Sequence, residues 1–178
     1  RLQQTASNEY HFSPKDTMRL CQTLYEAGYI TYMRTDSRKF SDDFIAKTRS
    51  FIDREFGAKH VGAAKQLDEL TNDNANPHEA IRPTNISLTA IPDKHSPREQ
   101  KLYKLIRDTT LQSCMSPAEV YAIKATVTSP EGTYVHKSER MSFPGWMAVG
   151  RHGTKDPDEK TYALLSSTPS SKVDYSKV

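Results

Sequence analysis

The sequence predicts an α+β chain, a mostly helical stretch followed by an antiparallel β segment, and three observations carry that expectation. Ser13-Pro14 and Ser96-Pro97 each open a run of apolar residues at helical spacing. After Ser116-Pro117 the helical period gives way to alternation. Pro130-Glu131-Gly132 then divides two alternating runs as a hairpin turn does. The change of period puts a domain boundary near residue 117, with a helical domain over residues 1–117 and a β-rich domain over 118–178.

Each element has a local cause. The chain opens in polar, helix-compatible sequence. In the first strong helix Ser13 caps, Pro14 suits the first helical position and Asp16 lies in the first turn. Met18, Cys21, Leu24 and Tyr25 follow at helical spacing, and Gly28 is a natural stop. Tyr29-Ile30-Thr31-Tyr32 is aromatic and β-branched, which predicts a short strand ended by Thr35-Asp36-Ser37. A second helix opens at Ser41 with Asp42 and Asp43 in its first turn, where the helix dipole favours acids. Its apolar face is Phe44, Ile45, Thr48, Phe51, Ile52 and Phe56, and Gly57 stops it. A weaker helix is expected over residues 61–70 and a loop over 71–77. Ser96-Pro97-Arg98-Glu99 is a full capping box, and Leu102, Leu105, Ile106 and Leu111 share one face behind it. Residues 120–128 and 133–142 read as strands, with shorter ones expected over 146–149, 162–165 and 173–178 and a polar loop over 153–160.

Composition narrows the classes. The 178 residues are 35% hydrophobic, with a net charge of +3, a pI near 8.8 and a mean hydropathy of −0.74. Such a chain presents much wet or contacting surface. Its mild positive charge permits a nucleic-acid partner without demanding one. Cys21 and Cys114 lack metal-ligand spacing, so each reads as a small buried hydrophobe, and the pattern suits a reducing, cytoplasmic setting. No apolar run is long enough to span a membrane, and no signal peptide is apparent. The start at Arg1 gives the look of a piece of something longer.

Chemistry concentrates in two places. In Gly28-Tyr29-Ile30-Thr31-Tyr32-Met33-Arg34-Thr35-Asp36-Ser37 a phenol, a guanidinium and a carboxylate follow the end of a helix. On a strand, residues 32 and 34 face the same side. Arg34 is then placed to hold a phosphate by two parallel charge-assisted hydrogen bonds. A tyrosine beside a held phosphodiester can attack phosphorus, although a free phenol with a pKa of about 10 needs help from a cation or base. By residue chemistry alone, the plainer reading is that Tyr32 is a strand aromatic and Arg34-Asp36 a surface ion pair. The second place is Asn76-Pro77-His78-Glu79-Ala80-Ile81-Arg82-Pro83-Thr84. His78 can donate to a phosphate oxygen, and Arg82 can contact a phosphate backbone. A capped turn with exposed charges is the plainer alternative. His-Glu-x-x-Arg lacks the second His of a zinc motif.

The two segments together resemble a known family. Ile30-Thr31-Tyr32-Met33-Arg34-Thr35-Asp36-Ser37 looks like the active-site segment of bacterial-type DNA topoisomerase I, a type IA topoisomerase, and residues 76–84 resemble that family's second signature. Leu2-Gln3-Gln4, Phe12-Ser13-Pro14-Lys15 and Phe143-Pro144-Gly145-Trp146 are similar to flanking elements, so the resemblance spans nearly the whole chain. It implies that Tyr32 is the nucleophile joined to a 5′ phosphate, that Arg34 positions the scissile phosphate and that His78 hydrogen-bonds it. It further implies supporting roles for Glu26 and Asp36, and DNA or neighbouring contacts for Gln22, Arg82, Arg38 and Lys39. The helical domain would be related to winged-helix DNA binders and the β segment to part of the arch domain. The implied partner is single-stranded or underwound DNA.

One departure matters. The family's Toprim domain, with its acids and magnesium, has no counterpart here. Asp156-Pro157-Asp158 reads as a solvated turn rather than a metal site. Magnesium and the rest of the gate are therefore expected outside this chain, and the chain by itself is expected to bind DNA without relaxing it. Two rivals remain. A non-catalytic winged-helix-like DNA-binding module would not need the Tyr32 hydroxyl. A tyrosine recombinase or type IB enzyme would place its Arg and His residues before the Tyr, the reverse of the order here.

Overall fold

The computed structural model describes residues 1–71, 78–150, 162–164 and 166. The chain forms two compact units, one holding Arg1–Pro117 and the segment that begins at Gly145, the other holding Ala118–Pro144. The α+β expectation holds.

Among its described residues the first unit contains five helices: α1 (Leu2–Tyr10), α2 (Pro14–Glu26), α3 (Asp42–Phe56), the short α4 (Ala64–Asp68) and α5 (Pro97–Cys114). The predicted caps form. The Ser13 hydroxyl accepts from the Asp16 N–H at 3.0 Å. At α5 the Ser96 hydroxyl accepts from the Glu99 N–H while the Glu99 carboxylate accepts from the Ser96 N–H. These reciprocal bonds satisfy two donors that a helix start leaves open.

Two apolar clusters fill this unit. One gathers Leu20, Cys21, Leu24, Ile30, Met33, Leu102, Tyr103 and Ile106. The other gathers Phe40, Phe44, Ile52, Leu67, Ala80, Ile86, Leu111 and Cys114. Helix α5 contributes to both, so its 18 residues tie the two halves together. The segment after α2 also belongs to both, through Ile30 and Met33 in the first cluster and Phe40 in the second. Both cysteines are buried, and burial pushes their thiols up to about 11, which keeps them as inert packing groups.

The structure corrects several expectations. Residues 29–32 form no strand; Ile30 makes a single antiparallel bridge with Pro83. The helix expected over 61–70 shortens to α4, preceded by a 3-10 turn at Ala58–His60. Residues 146–149 are no strand either. Gly145–Ala148 is a 3-10 turn docked on the end of α5, where the Trp146 N–H donates to the Ser116 carbonyl at 2.9 Å. Gly145 makes this docking possible: its φ is +50°, and a Cβ there would lie 2.3 Å from the Pro117 carbonyl oxygen. Residues 162–164 are helical rather than extended. The expectations for residues 72–77, 153–160 and 173–178, and the Asp156-Pro157-Asp158 turn, lie outside the described residues.

The described part of the second unit over Ala118–Pro144 is a two-stranded antiparallel hairpin, β1 (Glu119–Ser129) and β2 (Gly132–Phe143), with Ser129 opposite Gly132 across Pro130-Glu131. Tyr121, Val135 and Tyr134 are more than half exposed on it. No helix among the described residues is long and apolar enough to cross a membrane.

Candidate active site

The site begins where α2 stops. Gly28 takes φ +80°, its N–H donates to the Tyr25 carbonyl at 2.9 Å, and the Tyr29 N–H donates to the Leu24 carbonyl at 2.9 Å. This pair of bonds is the Schellman ending, which requires a left-handed residue that glycine adopts without penalty. The chain reverses and runs out as residues 29–34.

The second motif holds that run in place. The Thr31 N–H donates to the Arg82 carbonyl at 2.9 Å, and the Thr84 N–H donates to the Tyr29 carbonyl at 3.0 Å. These two bonds flank the bridge of Ile30 with Pro83. That register makes Ile30 and Pro83 a pair that exchanges no hydrogen bonds, so the missing N–H of Pro83 costs nothing there. Pro83 and Ile30 are both fully buried.

Thr31 adds a second tie. Its hydroxyl donates to the Ala80 carbonyl at 2.8 Å and accepts from the Arg82 N–H at 2.9 Å. The Ala80 N–H in turn donates to the Lys39 carbonyl at 2.8 Å. Ala80 is therefore hydrogen-bonded to the first motif on both of its backbone sides. His78, two residues earlier and exposed, is delivered beside residues 31–39 by this anchorage.

The first motif displays its polar groups. Met33 is 4% exposed and anchored in the core, whereas Tyr32 on one side is 44% exposed and Arg34 on the other is also exposed. The strand that was expected to align residues 32 and 34 is absent; the buried Met33 between them turns both outward instead. Among the described residues, Arg34, Asp36 and Arg38 make no hydrogen bond or ion pair, so the Arg34-Asp36 surface pair does not form. The Tyr32 ring meets the Tyr25 ring edge-on, with centroids 5.2 Å apart. Glu26 accepts a 2.6 Å hydrogen bond from the Gln22 amide one turn back, so these two residues share the last turns of α2 with Tyr25.

The second motif is used differently. The Arg82 Nε donates to the Glu79 carboxylate at 2.5 Å and an Arg82 terminal nitrogen donates to the Pro83 carbonyl at 3.1 Å. The Arg82 guanidinium lies 4.1 Å from the centroid of the Phe44 ring. Its side chain is 13% exposed. Arg82, expected to contact DNA, is thus engaged inside the fold as a brace between the loop and α3. The Lys39 ammonium donates to the Glu69 carbonyl and likewise has an internal partner. Sequence reasoning missed Thr31 and Tyr25; both lie inside or beside the first motif, and only the tertiary pairing reveals what they hold. Among the described residues no three His, Cys, Asp or Glu side chains cluster in a way that could hold a metal ion.

The chain is similar to proteins of one family. A family model described as DNA topoisomerase matches residues 1–177. DNA topoisomerase 1 of Haemophilus influenzae is 38% identical over 175 residues, 97% of this chain and 20% of that protein. DNA topoisomerase 1 of Escherichia coli is 36% identical over 149 residues, 83% of this chain and 17% of that protein. The structure of full-length topoisomerase I from Thermotoga maritima matches with a TM-score of 0.70 at 31% identity, covering 88% of this chain and 27% of that one. The chain spans about a fifth of the length of these curated relatives.

Proposed function

The chain belongs to the DNA topoisomerase family, and from that premise we propose that it is the part of a type IA enzyme that supplies Tyr32 as the nucleophile for cutting one DNA strand. The observation that carries this reading is the exposed Tyr32 phenol and the unpaired, exposed Arg34, set on either side of the buried Met33. An arginine with no internal partner is available for a phosphate, and a phenol at the surface can reach one.

The reaction follows from these groups. Tyr32 Oη gives up its proton to solvent and attacks the phosphorus of a phosphodiester, the bond from phosphorus to the 3′ oxygen breaks, and that oxygen takes a proton from solvent and leaves as a hydroxyl. The 5′ side of the strand stays joined to Tyr32. Arg34 holds the phosphate and offsets the charge that develops on it, and His78 donates a hydrogen bond to it. Glu26, held by Gln22, and Asp36 act in support, and Arg38 contacts the DNA backbone. Resealing runs in reverse: the 3′ hydroxyl attacks the phosphotyrosine, whose bond retains the energy, so no ATP is needed. Strand passage between the two steps relaxes supercoiled DNA.

The Toprim and gate domains are assigned to the rest of the polypeptide, and magnesium with them. Among the described residues no three His, Cys, Asp or Glu side chains gather to hold such an ion. The chain by itself is expected to bind single-stranded or underwound DNA in a salt-sensitive way and not to relax it.

The test is complementation. This chain is mixed with the separately expressed remainder of its polypeptide, magnesium and a labelled single-stranded oligonucleotide, then denatured. A DNA adduct on this chain that disappears with Tyr32→Phe is the expected result. Association and DNA binding without any adduct would overturn the assignment and leave a binding module.

A further inference from the structure

Among the described residues, the only hydrogen-bonding or ring partner of the Tyr32 side chain is the Tyr25 ring. Tyr25 is itself 41% exposed, so the pair sits at the surface rather than in a core. Its placement is fixed through the backbone. Tyr25 lies in the last turn of α2, its carbonyl accepts from the Gly28 N–H, and the reversal at Gly28 brings residue 32 back beside it. At the other end Thr31 is bonded to Ala80 and Arg82. Both Cα positions are therefore held through the backbone, and the Tyr25 ring is the aromatic neighbour that meets the Tyr32 phenol.

We infer that Tyr25 is a positioning residue for the nucleophile: its ring, meeting the Tyr32 ring at 62° with centroids 5.2 Å apart, holds the Tyr32 phenol in the orientation that reaches phosphorus. The edge-to-face arrangement is the one that aromatic quadrupoles favour. Tyr25 touches no reacting atom, and its own hydroxyl is not required. The effect belongs to the rate of attack, because a phenol that samples other rotamers is less often aligned. This inference rests on the proposed role of Tyr32, and its test separates the two.

The experiment uses the full-length polypeptide that contains this chain and measures single-turnover adduct formation on a saturating single-stranded oligonucleotide, together with the Kd for that oligonucleotide. Tyr25→Leu keeps apolar bulk and removes the ring; the cleavage rate is expected to fall about two- to tenfold, the span of one aromatic pair. Its Kd is expected to stay within about twofold, since an unaligned nucleophile does not weaken binding. Tyr25→Phe keeps the ring and is expected to cleave within about twofold of the parent. The inference is overturned if Tyr25→Leu cleaves at the parent rate, or if Tyr25→Phe is as slow as Tyr25→Leu. It is also overturned if Kd weakens in step with the rate, which would make Tyr25 a platform for a base. Tyr32→Phe, run alongside, reports on the premise: an adduct that survives it removes the proposed function, whereas a normal Tyr25→Leu with a silent Tyr32→Phe removes only the role of Tyr25.

Discussion

Residues 28–37 and residues 78–84 lie side by side and each carries one arginine, but they treat it in opposite ways. Arg34 is exposed, with no hydrogen bond or ion pair among the described residues. Arg82 is folded against Phe44, paired with Glu79 and 13% exposed. The first segment leaves its arginine exposed; the second is a brace that fixes the first through backbone and Thr31 hydrogen bonds. The difference teaches that an arginine in a charged motif can serve either the surface or the fold. Changes in the presenting segment belong in the rate, and changes in the brace belong in the stability.

The largest effect is expected at Arg34. If the proposed function holds, Arg34→Ala removes the cation assigned to the scissile phosphate, and the single-turnover cleavage rate of the full polypeptide should fall about 100-fold or more. The unfolding midpoint in urea should move little, about 0.5 kcal/mol at most, because the side chain has no internal partner. A loss of stability as large as the loss of rate would collapse the distinction between the segments.

Arg82→Ala should reverse that pattern. It strips Glu79 of its 2.5 Å partner and uncovers the Phe44 ring. Truncating one member of a largely buried pair costs about 3 kcal/mol, which urea unfolding of this chain would register. Arg82→Lys should recover part of it, since an ammonium can meet Glu79 but cannot lie flat on the ring. Unchanged stability with weaker DNA binding would restore Arg82 to the DNA surface.

Thr31→Val tests the link between the segments. Valine fills the same space without the hydroxyl, so the Ala80 carbonyl and the Arg82 N–H lose their side-chain partner. The expected loss is about 1–2 kcal/mol, with amide exchange rising at Thr84 and Ala80 as the pairing loosens.

How much of this was legible beforehand depends on the range of the interaction. The caps at Ser13 and Ser96, the stops at Gly28 and Gly57 and the hairpin turn at Pro130-Glu131 are decided within a few residues, and all form where the sequence predicts them. Residues 29–32 have strand composition but meet only one short stretch of partner backbone, residues 82–84, so composition overstated them as a strand. The 3-10 turn at Gly145–Ala148 exists because Gly145 fits against the Pro117 carbonyl, a contact between residues distant in sequence. The candidate site divides in the same way. Tyr32, Arg34 and His78 were legible as motif residues, but the motif does not tell which arginine faces out. That depends on Phe44 and Glu79 taking up Arg82, which only the tertiary pairing of the segments reveals.

The smallest expected effect is at Gly28, and it separates backbone conformation from contact. Its φ is +80°, and a Cβ built there meets nothing within 4 Å. Gly28→Ala should therefore cost only the left-handed conformation, about 1 kcal/mol in urea unfolding. Asparagine tolerates that conformation better than alanine, so Gly28→Asn should recover part of the loss although its side chain is larger. If Asn is as costly as Ala or worse, the penalty is steric, and the space beside Gly28 is filled in the full polypeptide. If Asn is milder, the turn is held by its own two hydrogen bonds to Tyr25 and Leu24, and the reversal that sets Tyr25 against Tyr32 is a local property of the α2 ending, independent of the brace.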